Sequence, residues 1–194
     1  MLSRLKDSVI GIVLWLFFSL SGVLCWVAIK LSVFKTLWKL FSSCANFLFK
    51  KEQAFREYTP TAHDIMVCSF GKSGTNWVLQ IVTQITGCGN MEFKHIHSVV
   101  PWVETQHLSY TVGLKEPTYR KSPLGLRAVK THLEATYVPW REDVKYITII
   151  RDPKDVIISA YYFAIAMIPL LKLMPLNDFI EIFLGGDTLF GSWA

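Results

Sequence analysis

The sequence lacks the patterns that mark a disulfide scaffold or a metal site. Its four cysteines lie at scattered positions, Cys25, Cys44, Cys68 and Cys88. This spacing does not form a disulfide framework. Two histidines, His95 and His97, flank one residue, but no cysteine or carboxylate pattern completes a metal-ligand set around them. We therefore expect no metal cofactor. The sequence also contains no Asn-x-Ser/Thr glycosylation acceptor, which weakens the interpretation that the chain faces the lumen of the secretory pathway.

Internal repeats and low-complexity tracts are also missing, and the basic residues form no stripe interleaved with aromatic ones. A nucleic-acid partner is therefore not expected. The formal net charge of +5 suits an anionic small molecule or an anionic membrane surface.

The amino-terminal region has a long uncharged stretch instead. Residues 8–29 are 22 residues without one charged side chain, rich in Leu, Val, Ile, Phe and Trp. About 20 apolar residues match the thickness of a bilayer core, whereas a cleaved signal peptide has a shorter apolar region. We predict one transmembrane anchor within residues 1–30. A cleaved signal and a buried helix of a soluble domain are the alternatives.

Residues 31–57 are predicted to be an amphipathic juxtamembrane linker, because apolar side chains alternate with lysines at helical spacing over residues 32–49. Cations flank the apolar stretch on both sides and nearly balance under the positive-inside rule. We expect the catalytic portion on the cytoplasmic side, with the lumenal side as the open alternative.

The most informative segment follows the apolar run of residues 64–70. It reads Lys72, Ser73, Gly74, Thr75, Asn76, Trp77. The pattern predicts a strand, a tight glycine-containing loop and a helix. Backbone N–H groups at a helix N-terminus, the helix dipole and a lysine together bind anions. The first glycine of the Walker motif is missing, so we predict phosphate binding of a non-Walker kind. An ordinary turn with a solvated lysine is the competing interpretation.

Two further strand-end segments support a ligand crevice. Residues 126–133 contain Lys130 and His132, and residues 146–150 are predicted to be a buried strand that ends in Arg151. Arginine forks onto phosphate oxygens, and Ser159 would add a hydroxyl from the next helix. Polar residues at the carboxyl ends of parallel strands are typical of a ligand crevice in an α/β sheet.

These segments resemble those of the sulfotransferases that use 3′-phosphoadenosine-5′-phosphosulfate (PAPS). The family's Tyr-Pro-Lys-Ser-Gly-Thr-Thr-Trp loop is similar to residues 70–77, and its Lys-Thr-His-Leu-Pro segment to residues 130–134. Its Arg-Asn-Pro-Lys-Asp-Val-x-x-Ser-Tyr-Tyr segment resembles residues 151–162, with the arginine-to-serine spacing kept, and residues 183–193 are similar as well. The resemblance covers residues 58–194 and implies an α/β fold, a P-loop-like parallel sheet flanked by helices.

The resemblance also implies a role for each site residue. Lys72 and the loop of Ser73, Gly74, Thr75 and Asn76 would hold the 5′-phosphosulfate, and Trp77 would stack on the adenine. The 3′-phosphate would bind to Arg151 and Ser159. As the catalytic groups, His132 would take the acceptor's proton, Lys72 would steady the leaving group, and Lys130 would stabilise the sulfuryl group in transfer.

Each assignment has a structural competitor. His132 alone at a strand end is often a hydrogen-bonded structural residue, and Trp77 would serve equally as helix core. Asp152 before Pro153 is a plausible helix N-cap. Residues 91–104 would form a wall of the acceptor pocket or simply pack. Cys68 is expected to be a small buried strand residue.

The expected reaction is sulfuryl transfer from PAPS to a hydroxyl or amine of a small acceptor. The family's domain runs well beyond the motif at which this chain stops, so we expect residues 58–194 to be its amino-terminal part. Two alternatives remain: a fragment that binds nucleotide or a partner without turnover, and a P-loop-type kinase, against which the missing Walker glycine speaks.

Overall fold

The computed structural model of the protein describes residues 51–106, 111–167, 171–172 and 174–185. The predicted anchor and most of the predicted linker lie outside these residues. Within them, no helix is long and apolar enough to cross a bilayer.

A three-stranded parallel sheet forms the centre of the described region. Its strands are β1 (Asp64–Ser69), β2 (Arg127–Thr131) and β3 (Lys145–Ile149). They lie in the order β2-β1-β3, so the first strand in the chain is the middle one. All three carboxyl ends therefore lie at one edge of the sheet. The predicted parallel sheet is confirmed.

Among the described residues, three α-helices accompany the sheet: α1 (Thr75–Thr86), α2 (Pro153–Met167) and α3 (Leu176–Leu184). Short 3-10 helices lie before β1 at Lys51–Gln53 and between the later elements at Ile96–Ser98, Val103–Thr105, Thr118–Lys121 and Ala135–Tyr137. Asp152 accepts a hydrogen bond at 2.8 Å from the backbone N–H of Lys154. The carboxylate thus satisfies a free N–H in the first turn of α2, as its predicted N-cap role requires.

Alternating side chains of β1 pack on the two faces of the sheet. On one face, Ile65 and Val67 form a core with Leu79 of α1 and Ala128 of β2. On the other face, Met66 packs with residues from β2 and the connecting loops, which include Val129, Val103, Leu114 and Val144. A third core joins α2 to α3 around residues such as Phe179 and Phe183. Burial on both faces explains the nearly continuous apolar sequence of the strand.

Cys68, near the end of β1, is half-buried and packs beside the second of these cores. Burial raises the pKa of its thiol to about 11. A thiol in that state is a weak nucleophile, which agrees with the expectation of a small structural residue.

The amino edge of the sheet contains a buried ion pair that the sequence patterns did not predict. Arg127 Nε lies 2.7 Å from Asp64 Oδ1, and the two residues face each other in the register of β1 and β2. The guanidinium also donates to the hydroxyl of Tyr58 and to the backbone carbonyls of Leu114 and Glu116. This pair ties the strands to the loops beneath them.

Candidate functional site

The loop between β1 and α1 turns sharply at two residues with left-handed backbone. Lys72 has φ 68° and Gly74 has φ 103°. Gly74 precedes the first residue of α1 and provides no side-chain cap for it. A non-glycine residue with positive φ is uncommon and strained. The strain and the uncapped helix start are typical of an anion-binding loop.

Ser73, within this loop, is 5% exposed, and its Oγ has no hydrogen-bond partner among the described residues. The neighbouring hydroxyl of Thr75 lies 2.7 Å from that of Ser69 at the end of β1. A hydroxyl has one hydrogen and two acceptor positions, so Thr75 retains hydrogen-bonding capacity for a ligand. The Ser73 hydroxyl is a buried polar group that an oxyanion would satisfy.

Arg151, which follows β3, reaches this loop. Its Nη1 donates to the backbone carbonyl of Lys72 at 3.2 Å, and its Nη2 lies 3.5 Å from Asp155 Oδ2 in α2. The ammonium of Lys72 lies 4.1 Å from the ring centroid of Phe163. Burial and the charge of Arg151 lower the pKa of Lys72. The loop and the end of β3 thus bring two cations together.

His132 lies just beyond β2, and its ring is held in one orientation. Its Nδ1 lies 2.6 Å from the backbone carbonyl oxygen of Ser69. Because a carbonyl oxygen only accepts, Nδ1 carries the hydrogen of the neutral ring and Nε2 keeps its lone pair. Burial, then the charge of Lys130, lowers the pKa of His132 to about 4. The ring is therefore neutral near pH 7, as a proton acceptor must be.

Lys130, in β2, is 5% exposed. Its ammonium lies 3.4 Å from the ring centroid of Trp102, so an aromatic face takes the place of water on one side. Burial lowers the pKa of Lys130 to about 8; the nearby charge of Lys72 acts in the same direction and that of Glu104 opposes it. Lys130 and Lys72 thus lie close enough to repel each other across the site.

Glu104 belongs to the same site, although the sequence analysis placed it only at the end of residues 91–104, a segment expected to form a wall of the acceptor pocket or to pack. Its Oε1 accepts hydrogen bonds from the backbone N–H of His132 and, at 3.3 Å, from the hydroxyl of Thr131. Its Oε2 is buried without a partner among the described residues. The only sequence signal was one carboxylate at the end of the apolar run of residues 99–104.

Trp77 and Ser159 are placed differently from the residues above. Trp77 is 78% exposed on the first turn of α1, so the helix-core alternative for it is wrong. Asn76 is exposed beside it. Ser159 is half-buried on α2. Among the described residues, no side-chain hydrogen bond or ring contact joins Trp77 or Ser159 to the loop at Lys72, so their ligand roles stay predictions.

Within the described ranges, no group of three or more histidine, cysteine, aspartate or glutamate side chains is arranged to hold a metal ion. His95 and His97 lie with ring centroids 5.4 Å apart, and His97 stacks on Trp102 at 5.2 Å. These histidines therefore form part of an aromatic row beside Lys130.

A parallel sheet with a tight glycine loop after β1, with Lys130 near the end of β2 and Arg151 after β3, is typical of α/β proteins that bind phosphate groups. Residues 62–194 match the sequence model of the sulfotransferase domain. The chain belongs to the sulfotransferase family.

Individual relatives agree with this assignment. Sulfotransferase 1E1 of Homo sapiens is 33% identical over 136 residues, and 3-beta-hydroxysteroid sulfotransferase of Cavia porcellus is 34% identical over 138 residues. Each alignment covers 67% of this chain and 45% of the relative. The chain therefore spans less than half the length of these curated relatives.

Two solved structures share the fold. Retinol dehydratase in a complex with retinol and PAP superposes with a TM-score of 0.55 at 21% identity, over 73% of this chain and 51% of that one. Mouse sulfotransferase SULT7A1 complexed with PAP gives a TM-score of 0.51 at 24% identity, over 74% and 48%.

Proposed function

We propose that the protein transfers a sulfuryl group from PAPS to a hydroxyl or amine of a small acceptor. The observation that carries this proposal is the contact network at the carboxyl edge of the sheet. Arg151 binds the loop at Lys72, and His132 binds the last residue of β1, Ser69. Three strand ends therefore supply an anion-binding loop, a basic cluster and a neutral imidazole to one place.

The donor fits the charge and the unsatisfied groups of this edge. Lys72, Ser73 and the N-terminus of α1 would hold the 5′-phosphosulfate, and Arg151 with Ser159 the 3′-phosphate. The exposed indole of Trp77 would stack on the adenine. Both solved neighbours were crystallised with PAP, the product that such a donor leaves.

Transfer requires loss of a proton from the acceptor as its oxygen or nitrogen attacks sulfur. His132 Nε2 would accept that proton, because Nδ1 is already committed to the carbonyl of Ser69. Lys130 would compensate charge on the equatorial oxygens of the sulfuryl group, and Lys72 the charge that builds on the leaving phosphate. The donor's negative charge raises the pKa of both lysines and of His132, so binding is expected to be accompanied by proton uptake.

The alternative is that the chain binds the nucleotide without turnover. The relevant observation is that the matched region corresponds to 45% of the relatives' length. Under this alternative, part of the acceptor pocket or of the nucleotide site of these relatives would be built by residues outside the matched region.

Calorimetric titration with adenosine 3′,5′-bisphosphate tests the donor site. The full 194-residue chain, purified in a mild detergent, is compared with a Lys72→Ala, Arg151→Ala double variant and with Lys145→Ala as a matched control at the first residue of β3. We expect binding by the wild type and the control, and a loss of about 100-fold or more in the double variant. Equal affinities in all three proteins would refute the donor site.

Turnover is tested separately with radiolabelled PAPS and a panel of phenols, alcohols and amines. Label transfer by the wild type that His132→Ala abolishes would support the enzyme. Bisphosphate binding without transfer to any acceptor would favour the non-catalytic alternative, and magnesium-dependent transfer from ATP would favour a kinase.

We also propose that residues 8–29 anchor the chain in a membrane, with residues 58–194 on the cytoplasmic side. The 22 uncharged residues support the anchor. Carbonate extraction of membranes from expressing cells should leave the chain in the pellet, and protease added to intact microsomes should digest residues 58–194. Release by carbonate would exclude the anchor, and protection from protease would reverse the orientation.

A further inference from the structure

We propose that Glu104 is a positioning residue, which fixes the backbone that carries His132 and keeps the nearby Lys130 charged for sulfuryl transfer. The inference deepens the proposed function and rests on it. It concerns a residue in the loop before β2 that the sequence patterns did not single out.

The hydrogen bonds of Glu104 order the turn after β2. One carboxylate oxygen accepts from the N–H of His132 and from the hydroxyl of Thr131. The same Thr131 hydroxyl accepts from the N–H of Leu133 at 3.1 Å. His132 is thus held from two sides, at its backbone by Glu104 and at its ring by the carbonyl of Ser69. Such support from two sides keeps a catalytic ring within the narrow range of productive positions.

The charge of Glu104 acts on Lys130. The segment that carries Glu104 runs beside β2, because Trp102 pairs in parallel with Lys130 and the Lys130 N–H donates to the carbonyl of Pro101. The ammonium of Lys130 is buried against Trp102, and the groups that act on it electrostatically are Glu104 and Lys72. Lys130 in turn acts on the two neighbouring imidazoles, those of His97 and His132. Among the described residues that act on Lys130, Glu104 is the one group of opposite sign. A cation that must compensate sulfuryl charge has to stay protonated, and the carboxylate opposes the loss of its proton.

The geometry differs from that of a purely structural carboxylate. Asp64, at the other edge of the sheet, has an arginine partner and hydrogen bonds to both oxygens. Glu104 keeps Oε2 buried without a partner among the described residues, and burial raises the pKa of its carboxyl group. An unsatisfied buried carboxyl lowers stability, so its presence beside the base requires another explanation.

Three variants separate the two parts of the inference. Glu104→Gln keeps an acceptor oxygen for the His132 N–H and removes the charge. Glu104→Ala removes both. Glu92→Gln neutralises an exposed carboxylate of the same connecting segment and is the matched control.

The first readout needs no turnover. Lysine side chains of the full chain are labelled by reductive methylation with carbon-13, and Lys130 is assigned by its loss in Lys130→Arg. We expect Glu104→Gln to lower the titration midpoint of Lys130 by about one pH unit and Glu92→Gln to leave it in place. An unchanged midpoint in Glu104→Gln would overturn the charge role.

The second readout is the pH profile of kcat for sulfuryl transfer. The maximal kcat of Glu104→Gln should stay within several-fold of the wild-type value, while the alkaline limb of its pH profile moves to lower pH. A merely structural role of Glu104 would not produce that shift. Glu104→Ala should lose about 100-fold in kcat with little change in the KM for PAPS. Wild-type kcat in Glu104→Ala would overturn the positioning role.

The failure of the parent hypothesis is distinguishable. If the wild type transfers no sulfuryl group to any acceptor, the proposed function is wrong, whereas the Lys130 titration still decides whether Glu104 controls its charge.

Discussion

The two edges of the sheet differ in how their buried polar groups are paired. At the amino edge, the Asp64 carboxylate accepts hydrogen bonds from Arg127, the Tyr58 hydroxyl and Thr61. Arg127 also donates hydrogen bonds to two backbone carbonyls. Burial, with the hydrogen bond to Asp64, raises the pKa of Tyr58 to about 12, so its hydroxyl stays a donor. Opposite charges face each other there, and the hydrogen-bonding capacity is filled.

At the carboxyl edge, three cations lie close together, and the two nearby carboxylates, Asp155 and Glu104, form no close ion pair like that of Asp64. Lys72 and Arg151 lie together, Lys130 rests on an aromatic ring, and the Ser73 hydroxyl has no partner among the described residues. This division separates the polar groups that stabilise the fold from those that the proposed ligand site would use.

Breaking the amino-edge pair should destabilise the fold most. Arg127→Ala leaves Asp64 buried without its cation, and we expect the free energy of unfolding to fall by about 3–5 kcal/mol in urea titrations. The double variant Asp64→Leu, Arg127→Leu should recover part of that loss, because no isolated charge remains buried. A loss under about 1 kcal/mol in Arg127→Ala would mean that the two edges do not differ as described.

At the carboxyl edge, removal of a cation should affect binding and spare stability. Lys72→Ala is expected to lower the affinity for adenosine 3′,5′-bisphosphate by about 100-fold. The urea midpoint should stay unchanged, because Lys72 neutralises no opposite charge when no ligand is bound. Calorimetry and urea unfolding on the same preparation measure both. Lys145→Ala is the control for both quantities, and a midpoint that falls with the affinity would contradict the division.

Acid should destabilise the fold through the carboxyl edge. The pKa values of His97 and His132 are lowered to about 4 by burial, from an ordinary value of 6.5. As pH falls from 6.5 toward 4, the unfolded chain takes up protons that the folded histidines do not, so stability present above pH 6.5 is lost across that window.

For the two histidines together we expect a loss of about 2.5 kcal/mol between pH 7 and about pH 5.5 in urea unfolding. The variant His97→Asn, His132→Asn should show a flatter profile over the same range. An equally steep profile in that variant would assign the effect to other groups.

The smallest expected effect has the opposite sign. Ser73→Ala removes a buried hydroxyl without a partner among the described residues, so the melting temperature should rise, by an amount equivalent to about 1 kcal/mol. The same change should weaken the bisphosphate by about 10-fold, because the ligand loses a donor. Thr61→Ala at the amino edge, where the hydroxyl is bonded to Asp64, is the matched control and should lower stability.

Local sequence was sufficient to predict the elements that carry the site. The apolar run before Gly71, the loop at Lys72 and the helix after it form one contiguous segment, and so do the strand and helix on either side of Arg151. Apolar strands and tight turns are determined by a few consecutive residues, so the local sequence pattern predicts them. Parallel strands then require the three polar ends to meet at one edge.

Groups that depend on distant contacts were not predictable in this way. Asp64 and Arg127 are 63 residues apart in the chain and meet only through the register of β1 and β2. Glu104 reaches His132 across 28 residues, and Ser69 fixes the tautomer of that ring across 63. Each contact needs the folded sheet, and no local pattern encodes it.

The loop at Gly74 shows what its glycine is needed for. A β-carbon added there would have no atom within 4 Å, whereas the backbone has φ +103°, which L-residues rarely adopt. The constraint at position 74 is therefore the left-handed backbone conformation, whereas there is space for a side chain. A D-amino acid introduced by semisynthesis would accept this backbone where L-alanine would strain it, so mirror-image chemistry offers a way to add a probe beside the proposed anion site without unfolding the loop.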